Sequence, residues 1–312
     1  YEIPCDYGII RRLLRIVDRT FEGMNLVYLV DHTRKSIDDE MDFYKESLNM
    51  LEAHELFGTG RNALCRVSLP SMELTTKRIL VMEYMRGVGM TEAFQSDTFT
   101  RAQKDTIAKG IIHLFATMIF RDGFVHCDPH PGNMLIDPKT LEIILLDHGL
   151  YRRLDENFRT LHARLWHNLF TRNDEEISAI AAKMSIPNFA NVLSLLFTQR
   201  SIGSASREKN TSVRHSLQKM GVMKPSSALN MPTVSKVLSA VPEDFLFVMK
   251  TILTVRSVTL SLGCSGMTRQ RQYALSANEA HVKQLRREGR VWKALQAFIA
   301  FQLWYFVFSV VY

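Results

Sequence analysis

Three side chains between positions 128 and 147 could do phosphoryl-transfer chemistry: Asp128, Asn133 and Asp147. The first two lie in His126-Cys127-Asp128-Pro129-His130-Pro131-Gly132-Asn133, and the third in Leu146-Asp147-His148-Gly149. Asn133 follows Asp128 by five residues. That spacing lets one loop set a carboxylate against a nucleophile and a carboxamide against a metal. Asn133 and Asp147 are oxygen ligands of the kind magnesium takes. Asp128 is placed to accept or orient the proton of a hydroxyl or water. Pro129 and Pro131 stiffen the loop, and Gly132 lets its backbone come close to phosphates. A zinc site built from His126, Cys127 and His130 is the rival reading. His-x-x-x-His binds zinc well on a helix, and two prolines forbid a helix here. A plain structural turn would account for one such motif, but not for two joined by a strand–turn–strand.

The surrounding pattern shows what must hold these groups. Met134-Leu135-Ile136 reads as a strand, Asp137 to Thr140 as a turn, and Glu142 to Leu146 as a second strand that delivers Asp147. A long helix over 100–121, with Ile107, Ile111, Leu114, Phe115, Met118 and Ile119 on its apolar face, closes at Gly123 and feeds the first loop. Upstream, residues 8–21 read as an amphipathic helix whose Ile9, Leu13, Ile16 and Val17 face a core. Ser36 and Asp39 resemble a capping box for a helix that runs to about Phe57 and ends at Gly58. On it Asp42 and Glu46 share a face beside Asp39, with Glu40 close by. Such a row of acids weakens a helix, so it needs open solvent or a cation. Residues 66–70 and 78–85 read as a hairpin around a turn at 75–77, leading to a hinge at Arg86-Gly87. Beyond Tyr151 the chain reads helical over 155–172, 174–185, 188–198, 232–241, 243–262 and 274–312, with 201–231 as a loop.

The bulk properties bound the rest. The chain has 312 residues, 46% hydrophobic and 23% charged, which is enough for one large domain or two lobes. A net charge of +7 suits phosphate ligands or anionic membrane surfaces. Without a basic run interleaved with aromatics, nucleic acid is not expected as a partner. The cysteines at 5, 65, 127 and 264 form no CxxC and read as thiols. Ala294 to Tyr312 carries no formal charge and follows Lys283, Arg286, Arg287, Arg290 and Lys293. Its length and flank suit a transmembrane helix with its basic end at the surface, the other reading being an interfacial or core helix.

Taken together, the Pro-His-Pro-Gly-Asn core of the first loop and the Leu-Asp-His-Gly-Leu-Tyr run of the second resemble the aarF-domain (ADCK/UbiB) family of atypical protein-kinase-like proteins. Glu40-Met41-Asp42-Phe43-Tyr44-Lys45-Glu46 resembles that family's Glu-x-Asp motif and the helix-C glutamate after it. Leu80 to Gly87, with Glu83 and Met85, resembles its hinge strand. His148, where Phe is usual, looks most like a mitochondrial branch of eukaryotic members. The resemblance implies an α+β, protein-kinase-like bilobal fold. Its parts would be a partial N-lobe over 1–85, a mostly helical C-lobe over 86–265 and a C-terminal helix over 266–312. It further implies binding of ATP with Mg2+, and a role in lipid or coenzyme Q homeostasis in mitochondria, with a lipid or membrane surface as a further partner. Asp128 then becomes the catalytic-loop aspartate, and Asn133 and Asp147 the metal ligands. Glu46 pairs with a strand lysine, Glu40 and Asp42 form the added acidic motif, and Glu83 and Met85 line the nucleotide site.

The departures from that family are as informative. Its alanine-rich nucleotide loop, Val-Ala-x-Lys strand and Lys-x-Gly-Gln helix are not found between positions 1 and 312, and the sequence opens on Tyr1 without a Met. The N-lobe therefore reads as incomplete, with those elements upstream, and this stretch alone is expected to hold nucleotide poorly. No Ala-Pro-Glu follows Asp147, which argues against an ordinary protein kinase. Two other readings stay open at this point: a pseudokinase-like scaffold at a membrane, and a small-molecule phosphotransferase of the aminoglycoside-kinase type.

Overall fold

The computed structural model describes residues 2–20, 27, 41–60, 63–95, 97–187 and 241–311. Glu40, Ser36 and Asp39, the helix expected over 188–198, the loop expected over 201–231 and all but the last residue of the helix expected over 232–241 lie outside them. The chain divides into two compact units, 1–39 with 181–242, and 40–180 with 243–312.

In the first unit, helix α1 spans Glu2–Thr20. Of the stripe expected to face a core, Ile9, Leu13 and Ile16 are exposed instead, at 51%, 57% and 61%, and Val17 is half-buried.

The second unit carries all three candidate loop residues. Helix α2, Phe43–Ala53, buries Glu46, Ser47, Met50 and Ala53 along one face and runs into a single π turn at His54–Gly58. Its N-cap is Asp42, in an extended conformation, whose carboxylate accepts from the Tyr44 N–H at 3.1 Å. This corrects the expected start. Asp42 lies ahead of the helix rather than on a face with Glu46, and its carboxylate satisfies an orphan N–H of the first turn.

The strands that follow are short: β1 Arg66–Val67, β2 Val88–Gly89, β3 Phe124–His126, β4 Met134–Ile136, β5 Ile143–Leu145 and β6 Tyr151–Arg153. They form a four-stranded sheet in the order β1-β5-β4-β2 and a separate β3-β6 pair. The hairpin expected between 66–70 and 78–85 is reduced to bridges at Pro70–Met82 and Thr76–Ile79. Arg66 and Val67 pair instead, in parallel, with Ile144 and Leu145 of β5. Gly87 then brings the chain onto β4. A Cβ there would sit 2.9 Å from the Leu135 Cβ and 3.1 Å from the Ile136 carbonyl.

Short helix α3, Met90–Gln95, leads to α4, Arg101–Thr117, which Thr100 and Gln103 start with a reciprocal capping box. Ile107, Ile111, Ile112, Leu114 and Phe115 of α4 are fully buried, making it the central core helix. A π turn at Met118–Asp122 extends it to Gly123, whose φ of 73° is left-handed and suits glycine. Helices α5, Glu156–Thr171, α6, Asp174–Lys183, and α7, Glu243–Ser261, follow.

The last segment is not one helix over 274–312. It is α8, Gly266–Arg287, and α9, Val291–Val311, broken where Gly289 adopts φ 73°. The break lets α9 fold back, so that Ala294 packs with Val282 and Leu285, and Phe301 with Phe170 and Ala274. Among the described residues no helix is long and apolar enough to cross a membrane.

Candidate active site

The topology brings the two candidate loops together. β3 pairs with β6, and β4 pairs with β5. Each loop connects one pair to the other, so the loop from β3 to β4 runs beside the loop from β5 to β6. Backbone bonds close both ends: the Cys127 N–H donates to the Leu150 carbonyl at 3.0 Å, and the Leu146 N–H to the Asn133 carbonyl at 3.0 Å. The strand–turn–strand between them forms as the spacing predicts. Asp137 caps its turn by accepting from the N–H groups of Lys139 and Thr140 at 2.8 and 3.2 Å, and these bonds hold its carboxyl below the usual range.

Within the first loop, the Asn133 Nδ2 donates to the Asp128 backbone carbonyl at 3.1 Å. That bond fixes the carboxamide and leaves its oxygen as an acceptor. The His126 Nδ1 accepts from the Asp128 N–H at 3.1 Å, and the His130 Nδ1 accepts from the Gly132 N–H at 3.1 Å. The prolines and these two imidazole acceptors shape the loop without a helix, apart from one 3-10 turn at Pro131–Asn133. In the second loop, the Asp147 Oδ1 accepts from the Gly149 N–H at 2.9 Å, which orients an exposed carboxylate.

Among the described residues no three His, Cys, Asp or Glu side chains converge to hold a metal by themselves. Asn133 and Asp147 would offer one or two protein oxygens, a donor set of the kind with which magnesium is held when phosphates and water complete its shell. The donor set therefore fits a metal carried with a phosphate ligand, and it does not fit a resident zinc ion.

Helix α2 grips the second loop from behind. The Glu46 Oε1 accepts from the His148 N–H at 3.0 Å, and the Asn49 Nδ2, one turn on, donates to the His148 carbonyl at 2.9 Å. Glu46 is only 8% exposed. Burial raises its pKa most, the His148 N–H pulls it back, and Asp147 adds to the rise. The acid expected on a solvated or cation-bound face is thus buried against the loop backbone.

The His148 ring is fully buried and near-parallel to Tyr151, with centroids 5.7 Å apart. Its Nε2 lies 3.3 Å from the Leu145 carbonyl and its Nδ1 3.1 Å from the Tyr151 hydroxyl. A carbonyl only accepts, so Nε2 carries the proton and Nδ1 accepts from the hydroxyl. Burial pushes the His148 pKa down to about 4, with its Leu145 bond and Asp147 acting against that. His126, 6.2 Å away between centroids, is held neutral for the same reason, at about 3. Tyr151 stacks in turn on Phe124 at 4.3 Å, so an aromatic pile supports both loops.

On the hinge, Glu83 donates its N–H to the Leu69 carbonyl at 2.9 Å and accepts from the Ser68 hydroxyl through its own carbonyl. Its backbone is therefore committed within the chain, while Met85 is buried with its sulfur 4.0 Å from Arg66.

One partner of Asp128 has no motif around it in the sequence. The Lys250 Nζ, on α7, lies 3.0 Å from the Asp128 Oδ1. Its only sequence signal was a single lysine in an otherwise largely apolar helix.

Comparison with known proteins agrees with this geometry. The ABC1 atypical kinase-like domain matches residues 1–181. "AarF domain-containing protein kinase 1" of Xenopus laevis is 32% identical over 266 residues, covering 83% of this chain and 50% of that protein. "ABC1 family protein MCP2 homolog" of Schizosaccharomyces pombe is 29% identical over 279 residues, covering 83% and 48%. "AarF domain-containing kinase 1" of Drosophila melanogaster is 29% identical, covering 80% and 48%. The chain thus spans about half the length of the curated relatives it matches. Among solved structures, the Rv3197–erythromycin complex from Mycobacterium tuberculosis superposes with a TM-score of 0.56 at 16% identity, covering 82% of this chain and 63% of that one. That likeness shows the shared α+β, kinase-like fold. With more than half of its length matched by the domain and the paired Asp–Asn and Asp loops in place, the chain belongs to the ABC1/AarF family of atypical kinases.

Proposed function

We propose that this protein binds ATP together with magnesium and, as an atypical kinase or ATPase, transfers or hydrolyses its terminal phosphoryl group. The observation that carries the reading is the coupling of the two loops. Asn133 holds the Asp128 carbonyl at 3.1 Å through its amide nitrogen, and its own carbonyl accepts from Leu146 at 3.0 Å, next to Asp147. One residue thereby ties a candidate base, a candidate amide ligand and a candidate carboxylate ligand into one rigid arrangement, which phosphoryl transfer requires more than covalent participation.

In this reading Asp128 orients the attacking hydroxyl or water, and the Asn133 and Asp147 oxygens hold the metal. Magnesium there would neutralise charge on the phosphate oxygens. Glu46 positions the Asp147 loop and pairs with a lysine supplied from the rest of the N-lobe. Glu40 and Asp42 extend the acidic edge of the nucleotide site, and Glu83 and Met85 line its adenine side. The division into an N-lobe portion over 1–85, a C-lobe over 86–265 and a C-terminal segment over 266–312 belongs to the same reading.

The family names of the relatives support a kinase-type activity. We extend the proposal to a lipid-related or coenzyme Q-related role in mitochondria, with a membrane surface as partner. Support for the surface comes from α9, where Trp292, Leu295, Ile299, Leu303 and Phe306 are exposed, preceded by Arg286, Arg287 and Arg290.

The test is ATP binding by a full-length form with and without magnesium. The proposal expects magnesium-dependent binding that Asp147→Asn weakens about tenfold or more. Binding indifferent to both would instead favour a non-catalytic scaffold.

A further inference from the structure

Phosphoryl transfer needs positive charge on the moving group beyond that of the metal, and the catalytic loop offers none of its own. Between His126 and Asn133 the titratable candidates for a cation are two imidazoles. His126 is buried and neutral, and the Nδ1 of His130 is occupied as an acceptor. The arginines of β6 are also engaged. Arg152 is clasped by Glu243 and Asp244 and lies over the Phe247 ring at 4.6 Å. Arg153 pairs with Glu52 and lies over Phe124 at 4.9 Å.

Lys250 is different. Its ammonium lies 3.0 Å from the Asp128 carboxylate, and its side chain is 51% exposed. An ion pair so open to solvent adds little to stability, so packing does not explain its placement. The helix that carries it is fixed in register. Glu243, Phe247 and Lys250 recur at helical spacing along one stripe of α7. The first two hold Arg152 of β6, and the neighbouring Thr251 is fully buried. An ammonium has three donors, and Asp128 takes one, so others can reach phosphate oxygens at the same mouth.

We propose that Lys250, from a helix far along the chain, supplies the cation that the catalytic loop lacks, pairing with Asp128 at rest and donating to the transferring phosphoryl group in the transition state. This rests on the phosphoryl-transfer reading above and names a residue that reading does not require.

The experiment compares binding of magnesium–ADP and of magnesium–ADP–aluminium fluoride, a mimic of the transferring group, to a full-length form. Wild type, Lys250→Met and Lys250→Arg are measured, with thermal melts to show that each is folded. The expected result is an affinity for the aluminium fluoride complex reduced about tenfold or more in Lys250→Met. Affinity for magnesium–ADP alone should change less than about twofold, and Lys250→Arg should recover part of the loss, since the charge is kept. If Lys250→Met binds both ligands like wild type, or loses both equally, the role of Lys250 is overturned while the nucleotide reading stands. If wild type binds neither ligand, the nucleotide reading itself fails, and the Lys250 proposal with it.

Discussion

The Glu46 carboxylate lies 3.0 Å from the backbone nitrogen of His148, across 102 positions of sequence, and is buried there. A helix glutamate thus serves as the backrest of the loop that presents Asp147. Two roles can be separated by substitution. Glu46→Ala leaves the His148 N–H without its acceptor and should cost ~1–3 kcal/mol of stability, read by thermal or urea unfolding. Glu46→Gln keeps an acceptor oxygen and should unfold within ~1 kcal/mol of wild type. If Glu46 also pairs with an N-lobe lysine, the same Gln variant of a full-length form should lose about tenfold or more in ATP turnover. A Gln variant as unstable as the Ala variant would contradict the backbone role.

Asn133 offers a sharper distinction. A carboxylate is a better metal ligand than a carboxamide, yet Asn133→Asp removes the N–H donor and sets an anion against the Asp128 carbonyl, 3.1 Å away in the native bond. Turnover by a full-length form should therefore fall, by about tenfold or more, rather than rise. Equal or higher activity would show that ligand strength outweighs loop geometry.

The buried histidines set an acid limit. His126 and His162 are lowered to about 3 and His148 to about 4, all chiefly by burial. Unfolded, each takes up its proton near the ordinary value of ~6.5, so the unfolded state binds more protons below that pH. Stability should fall as pH drops from about 6.5 towards 4, each histidine contributing up to ~1.4 kcal/mol per pH unit. Glu46 and Asp244, raised chiefly by burial, act in the opposite sense above their unfolded values, but burial lowers His167 and His281 as well, so the histidines outnumber them. His148→Phe should flatten the acid limb by about one histidine's share while leaving the Tyr151 hydroxyl without its acceptor, at a cost of ~1 kcal/mol at neutral pH. Midpoints of chemical unfolding between pH 7 and 4.5 check both statements. An unchanged acid limb would contradict the assignment of a buried neutral ring.

Gly87 tests the seat of the hinge. A methyl group added there would meet the Leu135 Cβ at 2.9 Å and the Ile136 carbonyl at 3.1 Å, both parts of β4 or its side chains. Gly87→Ala should destabilise by ~1–3 kcal/mol. A neutral result would mean that the hinge does not press on β4.

How much of this was legible in the sequence depended on the range of the bonds involved. The Asp128–Asn133 bond spans five positions and the Asp147 turn spans two, so their geometry is written in contiguous residues. The strand–turn–strand between them forms for the same reason. The sequence singles out Glu46 but not its contact with His148, which depends on how α2 lies against the loop between β5 and β6. Lys250 carries no local signal of its role, because its meeting with Asp128, 122 positions away, depends on where α7 is seated. The expected hairpin survives only beyond residue 68, in the Pro70–Met82 and Thr76–Ile79 bridges, for a related reason: Arg66 and Val67 pair with a non-local parallel partner, β5, rather than with the neighbouring segment. Residues 274–312 read as one helix because helical periodicity alone is blind to the left-handed Gly289 that separates α8 from α9.

The central claim is that the two loops form a metal-dependent phosphoryl-transfer site. Its most direct measurement is magnesium-dependent ATP turnover by a full-length form, compared with Asp147→Asn, which keeps the oxygen that accepts from Gly149 but removes the charge. The account predicts turnover that requires magnesium and falls by about a hundredfold in the variant. Turnover that persists unchanged in Asp147→Asn would contradict it.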